Sequence, residues 1–176
     1  MDERTLKKGK RYYKAGKVLW VVKYKDKLFS KVLGTYPYYV ELDLSTGENR
    51  CTCPLGGDCK HVAAVIKAHE NGFYFEALED YALLYPEAVV LKMLASVPEL
   101  ALDVTLKELR FAMSTDESGS EVARLFRRAL RLAEITKRVE VLHVLEDILD
   151  EYKHVFSDYE LALKLEDELR KLKTRL

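Results

Sequence analysis

Four residues that can bind a metal ion lie close together in this chain. The stretch CTCPLGGDCKH, residues 51–61, contains all three cysteines of the 176-residue sequence and one of its four histidines. Three sulfur atoms and one imidazole match the tetrahedral ligand set that Zn²⁺ takes in proteins. Because four protein ligands leave no open position for water or substrate, the set predicts one structural zinc ion rather than a catalytic one. The candidate metal ligands are Cys51, Cys53, Cys59 and His61.

Local sequence predicts how these ligands are positioned. Cys51 and Cys53 are two residues apart on an expected strand, so their side chains should leave the same face. Cys59 is expected in the turn before a helix and His61 in its first turn, because residues two apart inside a regular helix point roughly 200° away from each other. Asp58 or the Cys59 thiolate could then cap that helix. The paired glycines in PLGGD allow the tight turn that joins the two pairs.

Two other uses of the cysteines remain open: buried packing thiols, or one disulfide with a cysteine left over. The odd number of cysteines argues against disulfides. So does the start MDERTLKKGKRYYK, which lacks the apolar core of the secretion signal expected for a disulfide-bonded protein. A disulfide bond between Cys51 and Cys53 would also close a small, strained ring. Metal binding is therefore favoured. The same features predict a cytoplasmic protein without a membrane partner, since no apolar run approaches the roughly 20 residues that cross a bilayer.

The predicted fold class is α+β. A helix is expected over residues 4–15, followed by three runs rich in β-branched and aromatic residues, KVLWVVKY, KLFSKVL and YPYYVELDL. A fourth strand over residues 50–53 completes a small antiparallel sheet. The stretch over residues 59–72 then has helical character and ends at an Asn-Gly pair, which is a typical helix stop. These elements predict a zinc module over residues 1–72.

The remaining residues, 73–176, are predicted to form an all-helical bundle domain. Apolar residues recur at helical spacing in several segments, beginning with residues 75–85. In the last segment Ser157 and Glu160 match a capping box. The segments share no repeated motif, which favours a bundle over a short solenoid.

The formal charge of zero hides a strong asymmetry along the chain. Residues 1–31 carry eleven Lys or Arg against three acidic residues, whereas residues 71–176 carry 15 basic and 21 acidic residues. Since surface fields act over about 8–10 Å, the two parts are expected to meet different partners. The candidate nucleic-acid contacts in the basic part are Lys7, Lys8, Lys10, Arg11, Lys14, Lys17, Lys27 and Lys31.

Aromatic residues are interleaved with these basic residues. Lysines can neutralise phosphates and an exposed ring can stack on a base, so the combination is compatible with nucleic-acid binding. The alternative is that the lysines only solubilise a helix and a hairpin while the rings fill a small core. The sequence leaves both possibilities open. The rings in question are Tyr12, Tyr13, Trp20 and Phe29.

The stretch CTCPLGGDCKH resembles the CxC…CxH signature of SWIM zinc fingers. The proline after CxC, the helix start CKHVAAV and the upstream segment GKRYYKAGKVLWV extend the resemblance to prokaryotic SWIM-domain proteins over residues 4–72. The five residues between Cys53 and Cys59 lie at or below the short end of the family's spacing, but every ligand type is present. The resemblance implies a ββα zinc module with the same four ligands. It also implies DNA or protein binding, since such modules occur in Swi/Snf-type ATPases, transposases and recombination-mediator complexes.

The sequence therefore predicts a zinc-binding accessory factor in DNA processing. Its contacts to DNA are expected to be backbone-dominated and weakly sequence-specific, because nothing in the strands or the finger helix is typical of a base-edge reader. The alternative is a protein–protein interaction adaptor whose helical domain carries the partner surface. An enzyme is not expected: the sequence has no Gly-rich phosphate loop, no GxSxG and no HExxH, and its clustered thiols are assigned to metal.

Overall fold

A five-stranded sheet lies in the first of the two units into which the chain divides, Met1–Met93. The computed structural model describes residues 1–176, apart from the side chain of Tyr81. The strands are β1 (Val18–Tyr24), β2 (Lys27–Leu33), β3 (Pro37–Asp43), β4 (Asn49–Cys51) and β5 (Phe75–Glu76). Their spatial order is β4-β3-β2-β1-β5. The first four strands pair antiparallel, as predicted, whereas β5 runs parallel to β1, so the sheet is mixed.

Two helices of the first unit, α1 (Glu3–Lys14) and α2 (Lys60–Glu70), pack closely against each other. Gly9 is the buried residue of α1, and a Cβ atom built there would lie only 2.3 Å from the Cβ of Ala63. The glycine weakens α1 by propensity, but its missing side chain lets the two backbones approach. Helix α2 in turn contributes apolar side chains to the core formed with one face of the sheet.

The predicted helical stripe over residues 75–85 is wrong. The segment begins with β5, continues into a 3₁₀ turn over Asp80–Leu83 and reaches helix α3 at Pro86–Leu94. The edge of β1 explains the difference, because its unpaired backbone groups accept a partner strand there. The amide of Ala77 extends this pairing by donating to the carbonyl of Lys23 at 2.7 Å. The first compact unit consequently extends beyond residue 72.

The second unit, Leu94–Leu176, is a helical bundle with its own apolar core. Its helices are α4 (Pro98–Thr115), α5 (Ser120–Thr136), α6 (Glu140–Val155) and α7 (Tyr159–Arg175). Helix α7 is capped by Asp158, whose carboxylate accepts from the Leu161 amide at 3.0 Å, so the predicted cap at Ser157 is wrong by one residue. Among the described residues, no helix combines the length and apolar character needed to cross a membrane.

Candidate metal centre

Strand β4 and the turn after it position the first two cysteines. The strand ends at Cys51, two residues earlier than predicted, so Cys53 is reached through a turn and not along a strand. The turn is fixed by two backbone hydrogen bonds: Cys51 donates to the carbonyl of Gly56 at 2.8 Å, and Gly56 donates to that of Cys53 at 2.9 Å. Gly56 has a φ of +76°, a conformation that glycine adopts at little cost. The two thiols converge because the chain folds back.

The start of α2 positions the other two ligands as predicted. Cys59 is the N-cap residue with an extended backbone, and His61 lies in the first turn. Asp58 does not cap the helix. Its amide donates to the Asn49 side-chain oxygen at 2.7 Å and its carboxylate accepts from the Asn49 side-chain nitrogen at 3.0 Å. Asn49, which the sequence analysis did not single out, therefore ties the ligand loop to β4.

The four candidate ligands come together as a tetrahedral site requires. Their ligand atoms all lie within 4.8 Å of one another. The Nδ1 atom of His61 is 3.7 Å from the sulfur of Cys51 and 3.7 Å from that of Cys59. Zinc bonds of about 2.3 Å to sulfur and 2.0–2.1 Å to nitrogen, at a tetrahedral angle, place such atoms roughly 3.6 Å apart. All four side chains are buried, and the three cysteines are free thiols.

Burial sets the protonation of the thiols before metal binds. It raises the pKa of Cys51 to about 12 and also raises the pKa of Cys59. Burial acts upward on Cys53 as well, but the Leu55 amide and the neighbouring thiols outweigh it, and the net shift of its pKa is downward. At neutral pH at least two of the three thiols keep their protons, which metal binding must displace.

The imidazole of His61 is held by aromatic rings. Burial lowers its pKa to about 4, and the charges of Lys60 and Lys17 act in the same direction, so the ring is neutral and ready to bind metal. The ring of Tyr38 lies against it at 4.5 Å between centroids, and that of Tyr12 meets it edge-on at 5.4 Å. These supporting roles are not predictable from the ligand stretch, because both tyrosines lie outside it along the chain and reach His61 only in the folded structure.

Residues 38–70 match the family model of the SWIM zinc finger. These residues form a SWIM zinc finger. The matched range contains the four buried residues, and this donor set fits one structural zinc ion, which Cys51, Cys53, Cys59 and His61 would hold. Although only five residues lie between Cys53 and Cys59, the four ligand atoms still come together. In this SWIM finger one pair of candidate ligands, Cys51 and Cys53, lies at the end of β4 and just after it. The other pair, Cys59 and His61, lies at the start of α2.

A relative extends the likeness beyond the SWIM finger. Over 99 residues the chain is 35% identical to an uncharacterized protein of Methanocaldococcus jannaschii. The similarity covers 54% of this chain and 43% of that relative, so the matched part is less than half of the relative's length. No solved structure matches the chain.

The predicted nucleic-acid contacts around the SWIM finger fall into two groups. Lys17 is half-buried with its ammonium 4.4 Å from the ring centre of Tyr12, and the largely buried Lys31 pairs with Glu87 at 3.5 Å. The others are exposed, Lys27 at the start of β2 and the rest along α1. We call those predicted contacts that are exposed on α1 the basic face of α1; they are Lys7, Lys8, Lys10, Arg11 and Lys14.

The interleaved aromatic residues are mostly part of the core. Trp20 is 2% exposed and Phe29 is 6% exposed, so neither ring is available for a base. Tyr12 and Tyr13 are half-buried and pack against the core of the first unit. For these rings the structure agrees with the alternative in which they fill a small core.

Proposed function

We propose that this protein is a non-catalytic nucleic-acid-binding accessory factor in DNA processing, with the SWIM finger supporting a basic docking surface. The observation that carries the proposal is the basic face of α1. Among the described residues, ion pairing accounts for only one of its five cations: Lys7 lies 3.6 Å from Glu3. Cations left without an acidic partner attract a polyanion, because binding phosphates releases condensed counterions.

The spacing of these cations suits a phosphate backbone. Lys7, Arg11 and Lys14 recur at helical intervals of four and three residues, so they form one stripe along α1. The helix is held against α2 through the contact of Gly9 with Ala63, and α2 begins beside two zinc ligands. The zinc site therefore supports the placement of the stripe. Contacts of this kind position a backbone without reading its sequence.

Neutralising the basic face tests the proposal. Fluorescence anisotropy of labelled DNA, titrated at two salt concentrations, is expected to show binding that weakens steeply with salt. A variant with four substitutions should bind DNA at least about tenfold more weakly. The slope of the logarithm of its binding constant against the logarithm of salt concentration should be smaller by about three to four, since each lost phosphate contact lowers this slope by about one. The substitutions are Lys7→Gln, Lys10→Gln, Arg11→Gln and Lys14→Gln.

A charge-matched variant in the second unit is the control. It removes the same number of exposed cations and should retain wild-type affinity. Equal losses in both variants would mean that only net charge matters, and an unchanged affinity in the α1 variant would contradict the proposal. The control substitutions are Lys107→Gln, Arg110→Gln, Arg131→Gln and Lys137→Gln.

A second candidate function is the protein–protein adaptor. Exposed apolar side chains after the SWIM finger support it: Leu78 is 90% exposed, Leu84 is 75% exposed and Tyr85 is 64% exposed. Leu84 and Tyr85 line one groove together, and contiguous exposed apolar residues are typical of protein docking surfaces. Absence of DNA binding at low salt would favour this candidate over the first.

A further inference from the structure

A groove of about 300 Å³ opens beside the zinc ligands of the first unit. One wall comes from α1, with Lys8 and Tyr12, and the other from the ligand loop and the start of α2, with Leu55 and Lys60. Tyr38 and His61 also line it. Its size is at the lower end of the range for small-ligand sites.

The charges in the groove favour an anion. Lys8 and Lys60 are its charged lining residues apart from the zinc ligands, and none of the described residues that line it is acidic. The ammonium group of Lys60 lies 4.8 Å from the ring centre of Tyr12, so Lys60 is held at the groove by a residue of the opposite wall. Three thiolates and Zn²⁺ leave one negative charge nearby, and these lysines more than offset it.

The start of α2 adds a helix dipole to these charges. The groove lies at the N-terminus of this helix, whose first turn has no acidic residue. The amides of His61 and Val62 act on the Cys59 sulfur, so what reaches the groove is the positive end of the helix dipole, which favours a phosphate group. His61 is 4% exposed, and its Nε2 atom, the ring nitrogen that does not face the sulfurs, has no hydrogen-bond partner among the described residues. A metal-bound histidine normally donates from its second nitrogen.

The groove also has an apolar side. Leu55 is 76% exposed at its rim, next to Pro54, and the ring of Tyr38 lies within the lining. A nucleotide combines a phosphate with a planar base, so it can use both the cationic and the apolar parts. An acidic peptide side chain offers only the charge. A base can enter so small a groove only when it is unstacked, as in a single strand.

We propose that this groove binds one nucleotide of a single-stranded nucleic acid, with its phosphate between Lys8, Lys60 and the start of α2 and its base against Leu55. The inference rests on the proposed function and refines it. The basic face of α1 contacts phosphates of any strand, whereas the groove gives a preference for single strands.

The test compares a short labelled oligothymidylate with its matching duplex by fluorescence anisotropy. Two groove variants are used, Lys60→Gln and Leu55→Ser, each checked for one bound zinc per chain. Each should weaken single-strand binding about tenfold and change duplex binding less than about twofold. Lys67→Gln is the matched control, because it removes the same charge from the last turn of the same helix and should leave both affinities unchanged.

The possible outcomes separate the two proposals. Groove variants that bind the single strand like the wild type would overturn the groove inference while leaving the basic face of α1 in place. No binding of either DNA would overturn both. A labelled oligoglutamate peptide that binds more tightly than the oligonucleotide, and depends on Lys60, would replace the nucleotide by an acidic protein partner.

Discussion

Replacing Cys53 with Ser is expected to unfold the SWIM finger and leave the second unit folded. Structural zinc contributes about 10 kcal/mol or more to the folding of small zinc modules, and the substitution removes one of four ligands. The effect should stay within the first unit, because each unit has its own core. Hydrogen exchange followed by mass spectrometry should show lost protection over residues 37–70 and retained protection in α5, α6 and α7.

Thr52→Ser provides the matched control for that substitution. Thr52 is the neighbouring residue, and its side-chain oxygen accepts a hydrogen bond from the Tyr39 amide at 3.0 Å, which serine can replace. The control should keep full protection and one bound zinc ion. Wild-type protection over residues 37–70 in the Cys53→Ser variant would show that the metal does not hold this part of the fold together.

Replacing Gly9 with Val is expected to destabilise the first unit by about 3 kcal/mol, and Gly9→Ala by a smaller amount of the same sign. A Cβ atom at this position would lie 2.7 Å from the backbone carbonyl carbon of Ala63 and 2.7 Å from the amide nitrogen of Ala64, which cannot move aside without shifting α2. Helix propensity alone predicts the opposite for alanine, a gain of about 1 kcal/mol. Urea unfolding of the zinc-loaded protein measures whether Gly9→Ala lowers or raises the free energy of unfolding.

An exposed position on the same helix serves as the comparison. Lys10→Ala should change the free energy of unfolding by no more than about 0.5 kcal/mol, as is usual for surface substitutions. A stabilised Gly9→Ala variant would show that α1 does not need to approach α2 so closely.

The ligand types and the position of α2 were predictable because they depend on short stretches of chain. Cys59 and His61 are fixed by the start of one helix, and local turn signals are enough to place it. Cys53 was misplaced because its position depends on a hydrogen bond between Cys51 and Gly56, which ends β4 early. In spite of this error, the resemblance of the cysteine stretch to SWIM fingers points to the four residues that the structure brings together.

Contacts between distant segments explain the remaining differences. The pairing of β5 with β1 joins residues about 50 positions apart in the sequence, and no local pattern in residues 75–85 signals it. The sequence shows that Gly9 weakens α1. The close approach of α1 to α2 that this glycine allows depends on Ala63, which only the folded structure places beside it. The same holds for Tyr12 and Tyr38, whose contact with His61 crosses three elements.

The most direct test of the zinc centre is a titration of zinc into the reduced, metal-free protein, with bound zinc and released protons counted together. We expect one zinc ion per chain and the release of between about two and three protons at neutral pH. The buried thiols of Cys51 and Cys59 each lose a proton, Cys53 loses less than one because its pKa is lowered, and His61 enters neutral. Because protons are products, affinity should rise with pH. Binding that does not saturate at one zinc ion, or that releases fewer than about two protons, would show that these four residues do not form the zinc site.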